Sequence, residues 1–455
     1  MLNTDIIAAP ATAVGGGGIA IIRLSGADCF DLVRPFLLLS TLKSNNIINN
    51  MLYYAKFIDA QSDLVDEIMF VKMASPHSYT GEDVVEIHCH GNRIIVARIL
   101  DILLEVGARM ALPGEFTQRA FLNGRIDLAS AEAVADVINS RSTIAAKLAV
   151  DQLSGGLSKA IYSFRARLIS ILSLVEAYID FPEDDISAPH LSSLQSDAIK
   201  VSCDIEKLLN TFEEGRIHKD GLSVLILGNP NVGKSSILNR FLGEERAIVT
   251  DIPGTTRDLI EETVVISGLS LRFIDTAGIR DSVDPVEQDG IKRAKGRVAS
   301  ADLILYVVDG SLPLEIDIQN IQTEYGAVPI LFVINKSDII LPGFIDKFSQ
   351  VKSMTVCAKN GNGFDELVNK ISEFFNLAGT EERESCLISD RRHRDALSKA
   401  KANISFFMSE LDNCVSPEFL SIHLRDALSA LGDITGETTP DDVLNNIFSN
   451  FCIGK

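Results

Sequence analysis

The stretch VLILGNPNVGKSSILNRFLG, residues 224 to 243, constrains the fold of this chain more than any other. An apolar run that reads as a strand leads into GNPNVGKS, Gly228 to Ser235, and a helical pattern follows. GxxxxGK[ST] in that setting is a phosphate-binding loop between a strand and a helix. Backbone N–H groups from Asn231 through Val232 and Gly233 to Ser236 wrap a β-phosphate, and the helix N-terminus adds positive potential. Lys234 reaches the β- and γ-phosphates, and Ser235 offers its hydroxyl to magnesium.

Three further stretches name the base and the switches. NKSD, Asn335 to Asp338, follows the apolar run PILFVI. The Asp338 carboxylate accepts both N–H donors on the Watson–Crick edge of guanine, and adenine would leave it partly unpaired. The nucleotide is therefore GTP, with Asn335 and Lys336 in the same loop. DTAG supplies Asp275 for the magnesium water shell and Gly278 for an N–H to the γ-phosphate. PGTTRD supplies Thr256 as the second magnesium ligand. CAK, Cys357, Ala358 and Lys359, stands where a Ser-Ala-Lys guanine loop is expected, with backbone contact kept and side-chain contact open. Small signalling GTPases place a water-orienting Gln after DTAG, but here the residue is Ile279. Glu287, Arg280 and Arg257 are the candidates for that work; each also reads as solvated switch-loop charge.

The length of 455 residues suits roughly two to four domains. No run approaches the roughly 18 apolar residues of a membrane span, and no basic N-terminal start precedes Arg23. Seven cysteines without framework spacing fit a reducing cytoplasm. A net charge of −20 opposes non-specific nucleic-acid binding; the clearest basic cluster, DRRHRDALSKAK from Asp390, reads first as a solvated helix face and second as an RNA contact.

Along the chain, a mixed strand–helix segment gives way near residue 119 to helices, then from Gly221 to alternating strands and helices, and near residue 380 to helices again. An α/β domain inserted into a helical one explains that order, because insertions succeed where the guest's ends lie close together. In the first segment GIAIIRLSG and DVVEIHCH read as strands and NRIIVARILDILLEVGA as an amphipathic helix. HCH puts His88 and His90 on one strand face and Cys89 on the other, which favours structural histidines over a metal site. The terminal IFSNFCIGK is apolar and carries a thiol, Cys452. Gly454 and Lys455 fit a prenylation signal poorly, which leaves a buried structural thiol, the default, or a thiol held at a site.

GGGGIAIIRLSG, SYTGEDVVEIHCHG, PGEFTQRAFLNGRIDLASAEAVADVI, IDFPEDDI, the nucleotide motifs and the terminal FCIGK together resemble the MnmE (TrmE) family of tRNA modification GTPases, over essentially the whole chain. The resemblance implies a multidomain α/β plus all-α fold. Residues 1–118 would form an α+β folate-binding and dimerisation domain. Residues 119–218 and 380–455 would form a discontinuous helical domain, and 219–379 an inserted Ras-like P-loop G domain. The implied function is a cytoplasmic GTPase that helps build the 5-aminomethyl or carboxymethylaminomethyl group on wobble uridine of certain tRNAs. It would act as a homodimer, in a heterotetramer with the FAD-carrying flavoprotein MnmG. The one-carbon unit would come from a tetrahydrofolate derivative, in the 5-formyl or methylene form.

By the same resemblance, Arg23, Glu82, Arg125 and Lys455 match folate contacts, with Arg125 where the family commonly has Lys. Asn231, Thr250, Ile252 and Thr255 match a potassium site whose cation does the work of an arginine finger. Glu287 matches the glutamate that orients the hydrolytic water. The tail would reach the folate pocket, so Cys452 is either a catalytic thiol beside the pteridine or a packing residue. The competing reading is a regulatory or ribosome-assembly GTPase with no modification role, which leaves residues 1–118 and FCIGK unexplained.

Overall fold

The computed structural model describes the chain outside residues 1–4, 14–16, 40–46, 181–187, 244–261, 267, 275–297, 299, 315, 376–386, 413–416 and 450. The first described elements are β1 Ile7–Pro10, β2 Ile19–Ser25, α1 Cys29–Val33, β3 Leu37–Leu38, β4 Leu52–Ile58, β5 Leu64–Met73, β6 Val84–His90, α2 Arg93–Glu105, β7 Arg109–Met110 and α3 Glu115–Leu122. A helical stretch follows: α4 Leu128–Asn139, α5 Thr143–Leu153, α6 Gly156–Asp180, α7 Ala188–Leu209 and α8 Phe212–Asp220. Next come β8 Leu222–Leu227, α9 Lys234–Gly243, β9 Glu262–Ile266, β10 Leu269–Ile274, β11 Leu303–Asp309, α10 Ile318–Tyr325, β12 Ile330–Asn335, β13 Ser353–Thr355 and α11 Phe364–Phe374. The chain closes with α12 Arg391–Asp412, α13 Pro417–Thr435 and α14 Asp441–Ser449.

These elements fall into two compact units, each discontinuous in sequence. One holds residues 1–135, 152–198 and 402–455, and the other holds 136–151 and 199–401.

In the first unit the strands run in the order β3-β4-β5-β6-β2-β1-β7. All neighbours are antiparallel except β1 and β7. Apolar alternation sets the inner face. Ile22, Leu24, Ala55, Phe57, Ile68, Phe70, Val85 and Ile87 pack with α1 and with Ile99, Ile102 and Leu103 of α2. Asn92 caps α2 by accepting the Ile94 N–H at 2.8 Å. The outer face carries Ile19, Leu52, Tyr54 and Met69, all exposed. Tyr54 stands opposite Met69, and Met69 opposite His88.

The helices α6 and α13 of this unit pack along each other. Leu157, Ile161, Phe164, Leu168, Ile171 and Val175 recur on α6 at alternating four- and three-residue steps, and all are buried. Leu420, Leu424, Ala427, Leu431 and Ile434 do the same on α13, the spacing of a helix-pair seam. Ion pair Arg425–Glu176 joins the C-terminal part of α6 to the middle of α13, and Arg165–Glu437 joins the middle of α6 to a residue just past α13, which makes the two helices antiparallel.

The second unit is built on a sheet ordered β13-β12-β11-β8-β10-β9, parallel except for β9 with β10. β8 and β11 are near-continuous apolar runs because both sheet faces are covered. Their core includes Val224, Ile226, Leu305 and Val307, closed by Phe241, Phe273 and Phe364. Among the described residues no helix is long and apolar enough to cross a membrane.

Candidate nucleotide site and tail pocket

The loop between β8 and α9 lies at the carboxyl end of a central strand, where open α/β sheets bind ligands. Asn231 and Gly233 have left-handed backbone, with φ of 63° and 98°. A Cβ on Gly233 would stand 2.2 Å from Asn335 Nδ2, so only glycine permits the contact that follows. Asn335 donates from Nδ2 to the Val232 carbonyl at 2.9 Å, and its Oδ1 accepts the Ala358 N–H at 3.1 Å. One buried side chain thus ties the phosphate loop, the NKSD loop and the CAK loop together. The Lys234 ammonium donates to the carbonyls of Gly228 and Asn229 at 2.8 and 2.9 Å, holding it within the loop. Ser235 and Ser236 stand in the first turn of α9, half-buried and exposed respectively.

The NKSD loop is braced from beneath. Lys336, at φ 62°, pairs with Asp309, which ends β11 opposite Asn335. Asp309 Oδ1 also accepts the Ser311 N–H and O–H, at 2.9 and 2.6 Å. Burial pushes the Asp309 carboxyl up, but Lys336 and Ser311 together hold it below its ordinary value. The Cys357 thiol, 2% exposed, donates to Asp338 Oδ1 at 3.3 Å. The sulfur thus links the CAK loop to the NKSD loop. Lys359 follows Ala358 at the start of the turn that leads to α11.

Of the expected nucleotide and cation residues, Thr250, Ile252, Thr255, Thr256, Asp275, Gly278 and Glu287 lie outside the described residues, as do Arg257 and Arg280.

The C-terminal tail is seated in the first unit. Phe451 packs with Phe448, Leu444, Leu128 and Ala131. The Cys452 carbonyl accepts the N–H of Gly114, just before α3, at 3.3 Å. Gly454 lies so close to β1 that a Cβ would come 2.0 Å from the Pro10 carbonyl, and its φ is 93°. Cys452 itself is exposed and Lys455 half-buried. The thiol is thus no core residue, against the default expectation of a buried structural cysteine: its neighbour Phe451 fills the core position instead.

β1 pairs with β2, which carries Arg23. The Arg23 guanidinium bonds Glu86 at 2.8 Å and lies over the rings of Tyr79 and Phe116, 5.2 and 5.7 Å from their centroids. Glu82 accepts from Ser25 and Arg119 at 2.8 and 3.1 Å. Gly81 abuts the Arg125 stem, and Asn123 bonds the Thr80 carbonyl at 2.8 Å. Arg125 also borders a cleft of about 660 Å³ with Tyr162 and Glu437. Arg23, Glu82, Arg125 and the tail thus sit on adjoining elements of one unit.

On β6, Cys89 is buried, His88 half-buried and His90 exposed. His90 Nδ1 lies 2.7 Å from Asp66 Oδ1. Among the described residues no cluster of His, Cys, Asp or Glu is placed to hold a metal.

A family model described as the GTP-binding protein TrmE N-terminus matches residues 6–125, and one for the MnmE helical domain matches residues 128–452. The chain belongs to the MnmE (TrmE) family. Relatives named tRNA modification GTPase MnmE align over the whole of both chains. The one from Syntrophotalea carbinolica is 49% identical over 458 residues, that from Geobacter metallireducens 46% over 461, and that from Clostridioides difficile 42% over 460. The solved G domain of the T. maritima FeoB iron transporter is 22% identical, covers 34% of this chain and 98% of its own, and has a TM-score of 0.25. That score adds nothing to the fold described above.

Within the MnmE framework, motif reading passed over Asp309, Tyr79, Phe116, Glu115 and Arg119. Asp309 had one usable signal, an acidic residue ending an apolar strand of a parallel sheet, where ligands gather. Glu115 and Arg119 lie inside PGEFTQRAFLNG, where neither residue type nor spacing announces an ion cluster.

Proposed function

We propose that this chain is a potassium-stimulated GTPase that, with the flavoprotein MnmG, modifies the 5-position of wobble uridine in certain tRNAs using a folate one-carbon unit. The observation that carries this reading is the seated tail. Gly454 against Pro10 and Cys452 against Gly114 bring Lys455 to the elements that hold Arg23 and Glu82. A regulatory or assembly GTPase has no use for that arrangement.

In the nucleotide site the glycine-built loop and Lys234 suit a triphosphate, with Ser235 and Thr256 as magnesium ligands and Asp275 behind them. Asn231 with Thr250, Ile252 and Thr255 would hold potassium, which when bound supplies the positive charge that an arginine finger gives elsewhere. Glu287 orients the attacking water in place of the absent Gln. Asp338, Asn335, Lys336 and the Cys357–Lys359 loop read guanine. In the folate site Arg23, Glu82, Arg125 and Lys455 hold the tetrahydrofolate, and the exposed Cys452 faces solvent where a nucleophile is usable. Residues 1–118 form the folate and dimerisation domain, 219–379 the G domain, and 119–218 with 380–455 the helical domain. The exposed apolar face of Ile19, Leu52, Tyr54 and Met69 supports the homodimer.

The test is mass spectrometry of wobble nucleosides from a strain lacking the gene. Loss of the 5-substituent, restored by the intact chain, is expected; an unchanged nucleoside profile overturns the reading. In the same strain Cys452→Ser is expected to lose most modification while the purified variant still hydrolyses GTP. Full modification by that variant would leave Cys452 without a chemical role.

A further inference from the structure

Glu82 stands on top of an ionic cluster assembled from four parts of the first unit. Asp5 precedes β1, Arg109 is on β7, and Glu115 and Arg119 are on α3. Arg119 is 6% exposed. Its Nη2 donates to Asp5 Oδ1 at 2.8 Å and to Glu115 Oε1 at 3.1 Å. Its Nη1 donates to the Asp5 carbonyl at 2.9 Å and to Glu82 Oε2 at 3.1 Å. Arg109 pairs with both Asp5 and Glu115, and Glu115 also accepts the Leu112 N–H at 2.8 Å. Burial pushes the Asp5 and Glu115 carboxyls up, but the two arginines outweigh it and both stay ionised.

Two features single out Glu82. Three carboxylates face two guanidiniums, so the cluster keeps one net negative charge. Both bonds to Glu82, from Arg119 and from the Ser25 hydroxyl at 2.8 Å, fall on Oε2. The hydroxyl is itself fixed, 2.7 Å from Thr80 Oγ1. The carboxylate is therefore gripped by one oxygen, and Oε1 keeps its lone pairs for a ligand.

We propose that Arg119 is a positioning residue of the folate site, holding Glu82 by Oε2 so that Oε1 is aimed to accept an N–H donor of a 2-amino-4-oxo-pyrimidine edge such as that of a reduced pterin. The proposal rests on the folate reading above and adds to it the residue that makes Glu82 directional. A carboxylate left to rotate would meet such an edge in many orientations; a guanidinium fork fixes one. The same logic makes lysine a poor substitute, because a point charge sets no plane.

The experiment measures 5-formyltetrahydrofolate binding to the full-length protein by calorimetry, for the unsubstituted chain, Arg119→Lys, Glu82→Gln and the double variant. Arg119→Lys is expected to weaken binding about tenfold or more. In the Glu82→Gln background it is expected to add almost nothing, since Arg119 acts through Glu82. A merely structural arginine gives losses that add, and additive losses or unchanged binding by Arg119→Lys overturn the proposal. If Arg119→Lys fails to unfold cooperatively, Arg119→Gln decides by the same comparison. It keeps a planar N–H donor without the charge, and a loss that vanishes in the Glu82→Gln background supports the proposal, while an additive one overturns it. No binding by the unsubstituted protein overturns the folate reading itself, and the proposal with it.

Discussion

Asp338, the base reader proposed above, has its carboxylate held by the Cys357 thiol, 3.3 Å away. Asp338→Asn replaces an acceptor by a mixed donor and acceptor that matches xanthine better than guanine. GTP affinity is expected to fall about 10- to 100-fold, the worth of a charged hydrogen bond, and xanthosine triphosphate to gain, as competition binding will show. Unchanged preference would mean that NKSD does not read the base. Asp309 carries the second prediction. Its folded carboxyl lies below its ordinary value, so the stability it contributes is present above the ordinary carboxylate range and is lost as pH falls through the folded value. The Tm difference between the unsubstituted chain and Asp309→Asn should therefore shrink as pH falls below about 4, and a gap that widens on acidification would contradict the Lys336 pairing. The places of Lys234, Asn335 and Asp338 at the carboxyl ends of β8 and β12 were legible because their motifs fix both residue type and spacing. Asp309 was not, because its partner Lys336 lies just past the end of the neighbouring strand, and no spacing in one dimension encodes a bridge between strand ends.

Among the elements, the strands legible from alternation are where they were expected: GIAIIRLSG holds β2 and DVVEIHCH holds β6. Period-two patterning needs no partner to be seen. The α6–α13 seam shows the converse, since both helices declare themselves but the pairing spans residues 157 to 434 and rests on burial that only the fold reveals. The basic stretch from Asp390 is also explained at this scale. On α12, Arg394 pairs with Asp395 and lies over Phe212, and Lys401 pairs with Glu206, so part of its charge is compensated within the same unit. The tail makes a sharper case. Gly454→Val would drive a branched side chain into the Pro10 carbonyl at a φ of 93°. The tail is expected to lift off β1, so that carboxypeptidase trims the variant faster than the unsubstituted chain and 5-formyltetrahydrofolate binding falls with it. Equal trimming would show that the seat contributes little.

For the whole molecule, turnover and assembly are the properties to test. With no Gln after DTAG, GTP hydrolysis is expected to run about 10³-fold or more faster in potassium than in sodium; equal steady-state rates in both salts would exclude the cation site. Met69→Glu places a charge in the middle of the exposed apolar sheet face and is expected to shift the protein from dimer towards monomer in analytical ultracentrifugation. An unchanged sedimentation profile would move the interface elsewhere. The division of the chain has a consequence for how it is made. The second unit is complete once residue 401 is synthesised, whereas the first, begun at the N-terminus, waits for residues 402–455 to finish its helical packing. At ribosomal speeds that wait lasts some tens of seconds. During it Leu128 and Ala131 of α4 lack the Leu444, Phe448 and Phe451 that later cover them. A nascent chain of this design therefore carries an open apolar surface while a whole nucleotide-binding unit is built in between, and holding that surface apart from other chains is work for chaperones at the ribosome exit.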